Sequence, residues 1–217
     1  MEIKRHKVFV SYYHDDDQDY KNQIIDWEYW DDEKFEYKSI FDDYSVGNGD
    51  IDDKYLTDEQ IRRKIRDEYI KDATVLILLC GKNTKTRKHI DWEIHAAMYD
   101  SVVNPKMGIV VINLPTINQA RQASNDSEKP LISDDNNWVK LSTIEEYREN
   151  YPNMPERIIE NLAAGKEISV VDWNRVKNNS KILMKLIDNA FKRRKNIVYN
   201  HSTPLRKNNS TEMTVNS

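Results

Sequence analysis

The chain has 217 residues, 38% of them apolar, with 33 Lys and Arg against 37 Asp and Glu for a formal charge of -4. This is enough apolar chain for one sizeable core, favouring a single domain with extensions, and twelve Tyr and five Trp argue against wholesale disorder. The small negative charge supplies no broad basic field, so nucleic acid is not an expected partner.

Met1 to Lys7 is charged and runs into a short apolar stretch, which predicts neither a secretory leader nor a span of roughly 20 apolar residues able to cross a bilayer. Cys80 is the single cysteine, so no internal disulfide can form, which fits a reducing cytoplasm. No CxxC or HExxH pattern occurs, and no metal site is expected.

In chain order, Val8-Phe9-Val10 reads as a short strand, and Ile24, Ile25, Trp27 and Trp30 place a helix over 19–30. Tyr37 to Tyr44 is the next strand, leading to a turn at Gly47-Asn48-Gly49. Thr57-Asp58-Glu59-Gln60 has the spacing of a capping box ahead of a helix carrying Ile61 and Ile65. Thr74 to Cys80 is uninterruptedly apolar after its first residue, as a parallel strand covered on both faces should be. Gly81 breaks it, and Ile90, Ile94, Ala97 and Met98 then repeat at helical spacing. Met107 to Leu114 is a second buried strand.

The stretch 116–165 is too long for a plain connection and is read as an inserted, partly helical segment. Ser142-x-x-Glu145 predicts one helix start there, and Pro155 with Gly165 brackets another. Ile168 to Trp173 is the last strand, and Ile182, Leu183, Leu186, Ile187, Ala190 and Phe191 form the stripe of the last helix. Strands alternating with helices predict an α/β domain over 1–195 with a flavodoxin-like doubly wound parallel sheet. The Ser-, Thr- and Asn-rich stretch 196–217 is expected to be a disordered tail.

Such sheets bind ligands outside the carboxyl ends of their strands, and two clusters fall there. One is Ser11-Tyr12-Tyr13-His14-Asp15-Asp16-Asp17, whose hydroxyls and rings suit a nucleotide or nicotinamide, although a polar loop with an Asp helix cap explains it equally well. Adjacent acids cannot all converge on one ion, which counts against a metal here. The other is Arg87-Lys88-His89-Ile90-Asp91-Trp92-Glu93. His89 and Glu93 lie four apart on one helical face, where a carboxylate could stabilise an oxocarbenium-like ribosyl centre, or simply form an exposed His–Glu pair worth about 0.2–0.5 kcal/mol.

The order Val8-Phe9-Val10-Ser11-Tyr12, then 72–81, then Arg87 to Ile94 resembles the TIR-like proteins of bacterial antiphage defence, in particular the sensor subunit of Thoeris systems. The likeness covers roughly the first half, through Leu114. It implies a TIR-like fold in which Glu93 cleaves the bond between nicotinamide and ribose, making the chain an NAD glycohydrolase or ADP-ribosyl cyclase. Ser11, Tyr12, Tyr13, His89 and Trp92 are the substrate-binding residues carried with it. NAD is then substrate, not cofactor, and no metal is needed. Phage infection would trigger production of an ADP-ribose-derived, cyclic signal that activates a separate effector. Self-association or other TIR subunits would complete the site, a phage protein would be the trigger, and no membrane is involved. The chain departs from the family where His89 replaces a frequent Trp, and Trp92, next to Glu93, should point to another side of the helix. Two alternatives stay open: a non-catalytic adaptor or phage-sensing protein acting through the 42–56 loop and the helices, and a flavodoxin-like FMN or phosphate binder. The second is disfavoured because the loop after the first strand lacks glycine and clustered Ser or Thr.

Overall fold

A computed structural model describes residues 4–45, 56–102, 105–133 and 141–207. The Gly47-Asn48-Gly49 turn, most of the 42–56 loop and the end of the tail lie outside the described residues.

Five strands form one parallel sheet: β1 (Lys7–Ser11), β4 (Asp42–Asp43), β5 (Val75–Cys80), β6 (Gly108–Asn113) and β7 (Ser169–Asp172). Their order is β4-β1-β5-β6-β7, which in chain order of the sheet strands is 2-1-3-4-5, the flavodoxin-like winding. The remaining strands, β2 (Glu28–Asp31) and β3 (Glu36–Ser39), pair antiparallel as a separate hairpin.

β5 shows why its sequence lacks alternation. Leu76, Leu78 and Cys80 enter one apolar layer while Val75, Ile77 and Leu79 enter the other, so both faces need apolar residues. The first layer is covered by α2 (Asp58–Lys64, continued by a π turn over Ile65–Tyr69), α3 (Lys88–Met98), α5 (Ile144–Asn150) and α6 (Glu156–Ala163). The second is covered by α1 (His14–Ile25), α4 (Lys129–Ile132), α7 (Trp173–Lys177) and α8 (Ser180–Arg193). Gly108 lets α8 lie directly on β6, since a Cβ there would collide with the Ala190 carbonyl.

Several local expectations are corrected. The helix placed over 19–30 runs from His14 to Ile25 instead, and Trp30 belongs to β2. Asp15, Asp16 and Asp17 in its first turn favour the earlier start, because carboxylates suit the positive end of a helix dipole. The single strand expected over 37–44 is split between hairpin strand β3 and the two-residue edge strand β4. The cap predicted at Ser142 sits one residue later, where Thr143 Oγ1 accepts from the Glu146 N–H and the Glu146 side chain accepts from the Thr143 N–H. The Thr57–Gln60 box forms as read.

The largest difference concerns the tail. Residues 197–207 run back across the first helical layer, with Ile197, Tyr199 and Leu205 buried in its core. The Tyr199 hydroxyl donates to the Met107 carbonyl at 3.0 Å, and Asn161 exchanges hydrogen bonds with the Asn200 backbone. Polar composition suggested disorder, but three apolar anchors and satisfied backbone groups hold this part of the chain.

Candidate functional site

β1 and β5 are neighbours whose following segments leave to opposite faces of the sheet, the switch point outside whose carboxyl ends such sheets form their ligand crevice. Ser11, the last residue of β1, shares the first-layer face with Phe9 and alternates with Val8 and Val10, which enter the second layer. From the other side, α3 follows β5 and presents Glu93. The Ser11 hydroxyl donates to Glu93 Oε2 at 2.6 Å, a short charge-assisted contact between residues 82 apart in sequence.

Glu93 is 4% exposed, and among the described residues no cation pairs with it. Burial therefore dominates its acidity and pushes the carboxyl up to about 7, with the Ser11 hydrogen bond pulling the other way. This excludes the exposed His–Glu surface pair. His89 is half-buried and meets the edge of the Trp92 ring, centroids 5.0 Å apart.

Trp92 is fully buried, and its indole N–H donates to the Arg206 carbonyl at 2.6 Å. It packs on the side facing the tail, a different direction from Glu93, as its place one residue earlier on the helix requires. The Asp91 carboxylate receives Arg157 through two nitrogens, at 3.0 and 3.2 Å, and the Arg206 N–H at 2.9 Å. Three consecutive residues thus serve three different surroundings.

The tyrosines after β1 diverge. Tyr12 packs toward the α1 layer, its hydroxyl 2.8 Å from Gln18 Oε1 and 3.2 Å from His14 Nδ1. Burial raises its pKa above the usual tyrosine value, and the nearby Glu93 charge adds to this. Tyr13 lies on the α3 side, with the Arg87 guanidinium 3.8 Å above its ring and its hydroxyl bonded to Asp15. Arg87 thereby bridges the two sequence clusters, linking the loop after β1 to the start of α3.

Two features were missed in sequence. Asp17 is buried, among the described residues neither carboxylate oxygen has a partner at hydrogen-bond geometry, and a Cβ on Gly81 would lie 2.5 Å from one of them. Burial, assisted by the Asp16 charge, raises its carboxyl to about 6. No local signal separates Asp17 from Asp15 and Asp16, because its close neighbour Gly81 lies 64 residues away in sequence. Arg157 was missed too, although a cation inside the apolar stripe of α6 was visible as an interruption between Pro155 and Ile158.

The family model for the TIR-like domain of the Thoeris protein ThsB matches residues 9–119, half of the chain. The chain belongs to that family. No curated protein and no solved structure matches it. The matched ThsB stretch contains both halves of the crevice, Ser11 and Glu93, whereas Arg157 and the tail segment lie beyond it. Among the described residues no group of three or more His, Cys, Asp or Glu is arranged to hold a metal ion, and no helix is long and apolar enough to cross a membrane.

Proposed function

We propose that this ThsB-like chain cleaves NAD at the bond between nicotinamide and ribose, with Glu93 as the catalytic residue. The observation that carries the reading is the buried Glu93 carboxylate, held by Ser11 with no paired cation, at the crevice where β1 and β5 end. An uncompensated buried acid is costly to keep, and functional sites are where such groups concentrate.

Nicotinamide departs as a neutral ring with the electron pair of the broken bond, leaving positive charge on the ribose C1′ and ring oxygen. An ionised Glu93 stabilises that charge in surroundings where little water competes, and Ser11 holds the carboxylate in place. Addition of water to C1′ gives ADP-ribose and a proton, while attack by an internal nucleophile gives a cyclic product. The cationic nicotinamide ring favours the ionised carboxylate when NAD enters, offsetting the effect of burial. Tyr12, Tyr13 and His89 line the approach in this reading, while Trp92 acts from within the core. NAD is consumed and no metal takes part.

In keeping with the family, the product would be a signal for a separate effector, released when a phage component is sensed and when neighbouring copies or other TIR subunits complete the crevice. The lone, buried Cys80 supports action in the reducing cytoplasm.

Nicotinamide and ADP-ribose products are to be separated by chromatography after NAD is incubated with wild-type or Glu93→Gln protein, with and without lysate from infected cells. We expect wild-type release to fall by about a hundredfold or more in the variant, the scale of losing a principal electrostatic group. Equal release by a folded, assembled Glu93→Gln protein would remove Glu93 from its role. If both stay inactive while folded and self-associated, the non-catalytic adaptor takes the place of this reading.

A further inference from the structure

α3 begins without a side-chain cap of its own: Arg87 occupies the N-cap position, and its guanidinium lies over Tyr13. The first turns of a helix carry free N–H groups and fray unless something fixes them. Here the fixing groups come from far along the chain. Arg206 gives its N–H to Asp91 and its carbonyl to Trp92, gripping the two residues immediately before Glu93. Arg157 joins the same carboxylate and donates to the carbonyls of Thr203 and Pro204 at 2.9 and 3.2 Å, so the tail is itself clamped. Leu205 is buried in the same core, and the His201 ring meets His95 on α3 and Tyr99 at its C-cap, at centroid distances of 5.7 and 5.9 Å.

We infer that the tail segment 197–206 is a positioning element for the crevice, fixing the rotation of α3 through Asp91 and Trp92 so that Glu93 meets Ser11. Side chains of a helix turn together, about 100° per residue, so a grip on two faces sets the third. Asp91, Trp92 and Arg206 act through Glu93 and are positioning residues, not catalytic ones. The consequence rests on the NAD-cleaving reading, but the geometry of Glu93 does not.

In the full chain, Arg206→Pro removes the N–H given to Asp91 without altering any crevice side chain. Two measurements follow: the ¹³C titration of the Glu93 carboxyl, assigned by its loss in Glu93→Gln, and the kinetics of nicotinamide release under the conditions that activate the wild type. The titration midpoint should fall from about 7 toward the ordinary carboxylate range as water reaches a loosened helix start. kcat should drop about tenfold with KM nearly unchanged, since displacements near 1 Å can cost on the order of a hundredfold. A folded variant that keeps the wild-type midpoint overturns the inference, even if its melting temperature falls. Should Arg206→Pro not fold, the same titration is made on Trp92→Phe, which removes the donor to the Arg206 carbonyl together with part of the buried ring that packs beneath the tail: a lowered midpoint supports the positioning role and an unchanged one overturns it. An inactive wild type with a shifted midpoint in the variant would overturn the NAD reading and leave the positioning role standing.

Discussion

Asp91 and Glu93 are both buried acids on α3, two residues apart and on either side of a buried tryptophan, yet their surroundings are opposite. Asp91 is matched by a bidentate guanidinium and a backbone N–H, whereas among the described residues Glu93 has one hydroxyl and no cation. A neutralised acid is part of the scaffold. An acid left almost alone costs stability and is available to meet positive charge brought by a ligand, which is why the second carries the functional reading. The Glu128–Arg193 pair, also buried and completed by Ser169, repeats the first pattern on the other side of the sheet.

The sharpest way to break the contrast is Asp91→Ala. It strands the fully buried Arg157 guanidinium and should destabilise the fold by about 3–5 kcal/mol, the range for removing one partner of a buried ion pair, as measured by urea unfolding.

Glu93→Gln should act in the opposite sense. Because burial raises the carboxyl from 4.5 to about 7, the folded chain binds more protons than the unfolded chain between those values, and stability falls as pH rises through that window. Above pH 7 the variant should therefore be more stable than wild type by about 1–3 kcal/mol, an advantage that disappears by about pH 4.5. An unchanged melting temperature at pH 8 would mean that the Glu93 charge is better solvated than its burial indicates. Asp17, raised to about 6 by burial, adds a parallel loss of stability with rising pH, and Asp17→Asn separates the two contributions.

The smallest effect is expected from Ser11→Ala. Its hydroxyl lowers the Glu93 pKa, so without it the carboxyl should ionise at still higher pH, shifting the alkaline rise of activity upward and leaving the pH-independent rate less affected. A profile that does not move would place the hydroxyl's importance elsewhere.

Much of the scaffold was legible in sequence. Val75 to Cys80 and Ile109 to Ile112 announce covered strands by continuous apolar residues, and Thr57 with Gln60 announces a cap, because these are local requirements of strand burial and helix ends. The hairpin around Trp30 was not legible, since two apolar residues three apart suit a helix as well as an edge. At the crevice, spacing put His89 and Glu93 on one face, but it could not tell which acid of the Asp91-Trp92-Glu93 triplet would be neutralised. Arg157 lies 66 residues from its carboxylate, and no periodicity reaches that far.

By itself, then, the sequence determined the alternation of strand and helix, the winding that follows from parallel crossovers, and the family likeness of residues 9–119. Tertiary structure alone decided the charge environment of each acid and the fate of the tail. The reason is physical: periodicity records which face of an element is apolar, whereas an acid's ionisation depends on water and partners supplied by distant segments. Residues 197–206 look solvated in composition and become ordered because α3 and α6 offer them Asp91, Trp92, Arg157 and Asn161 to hold.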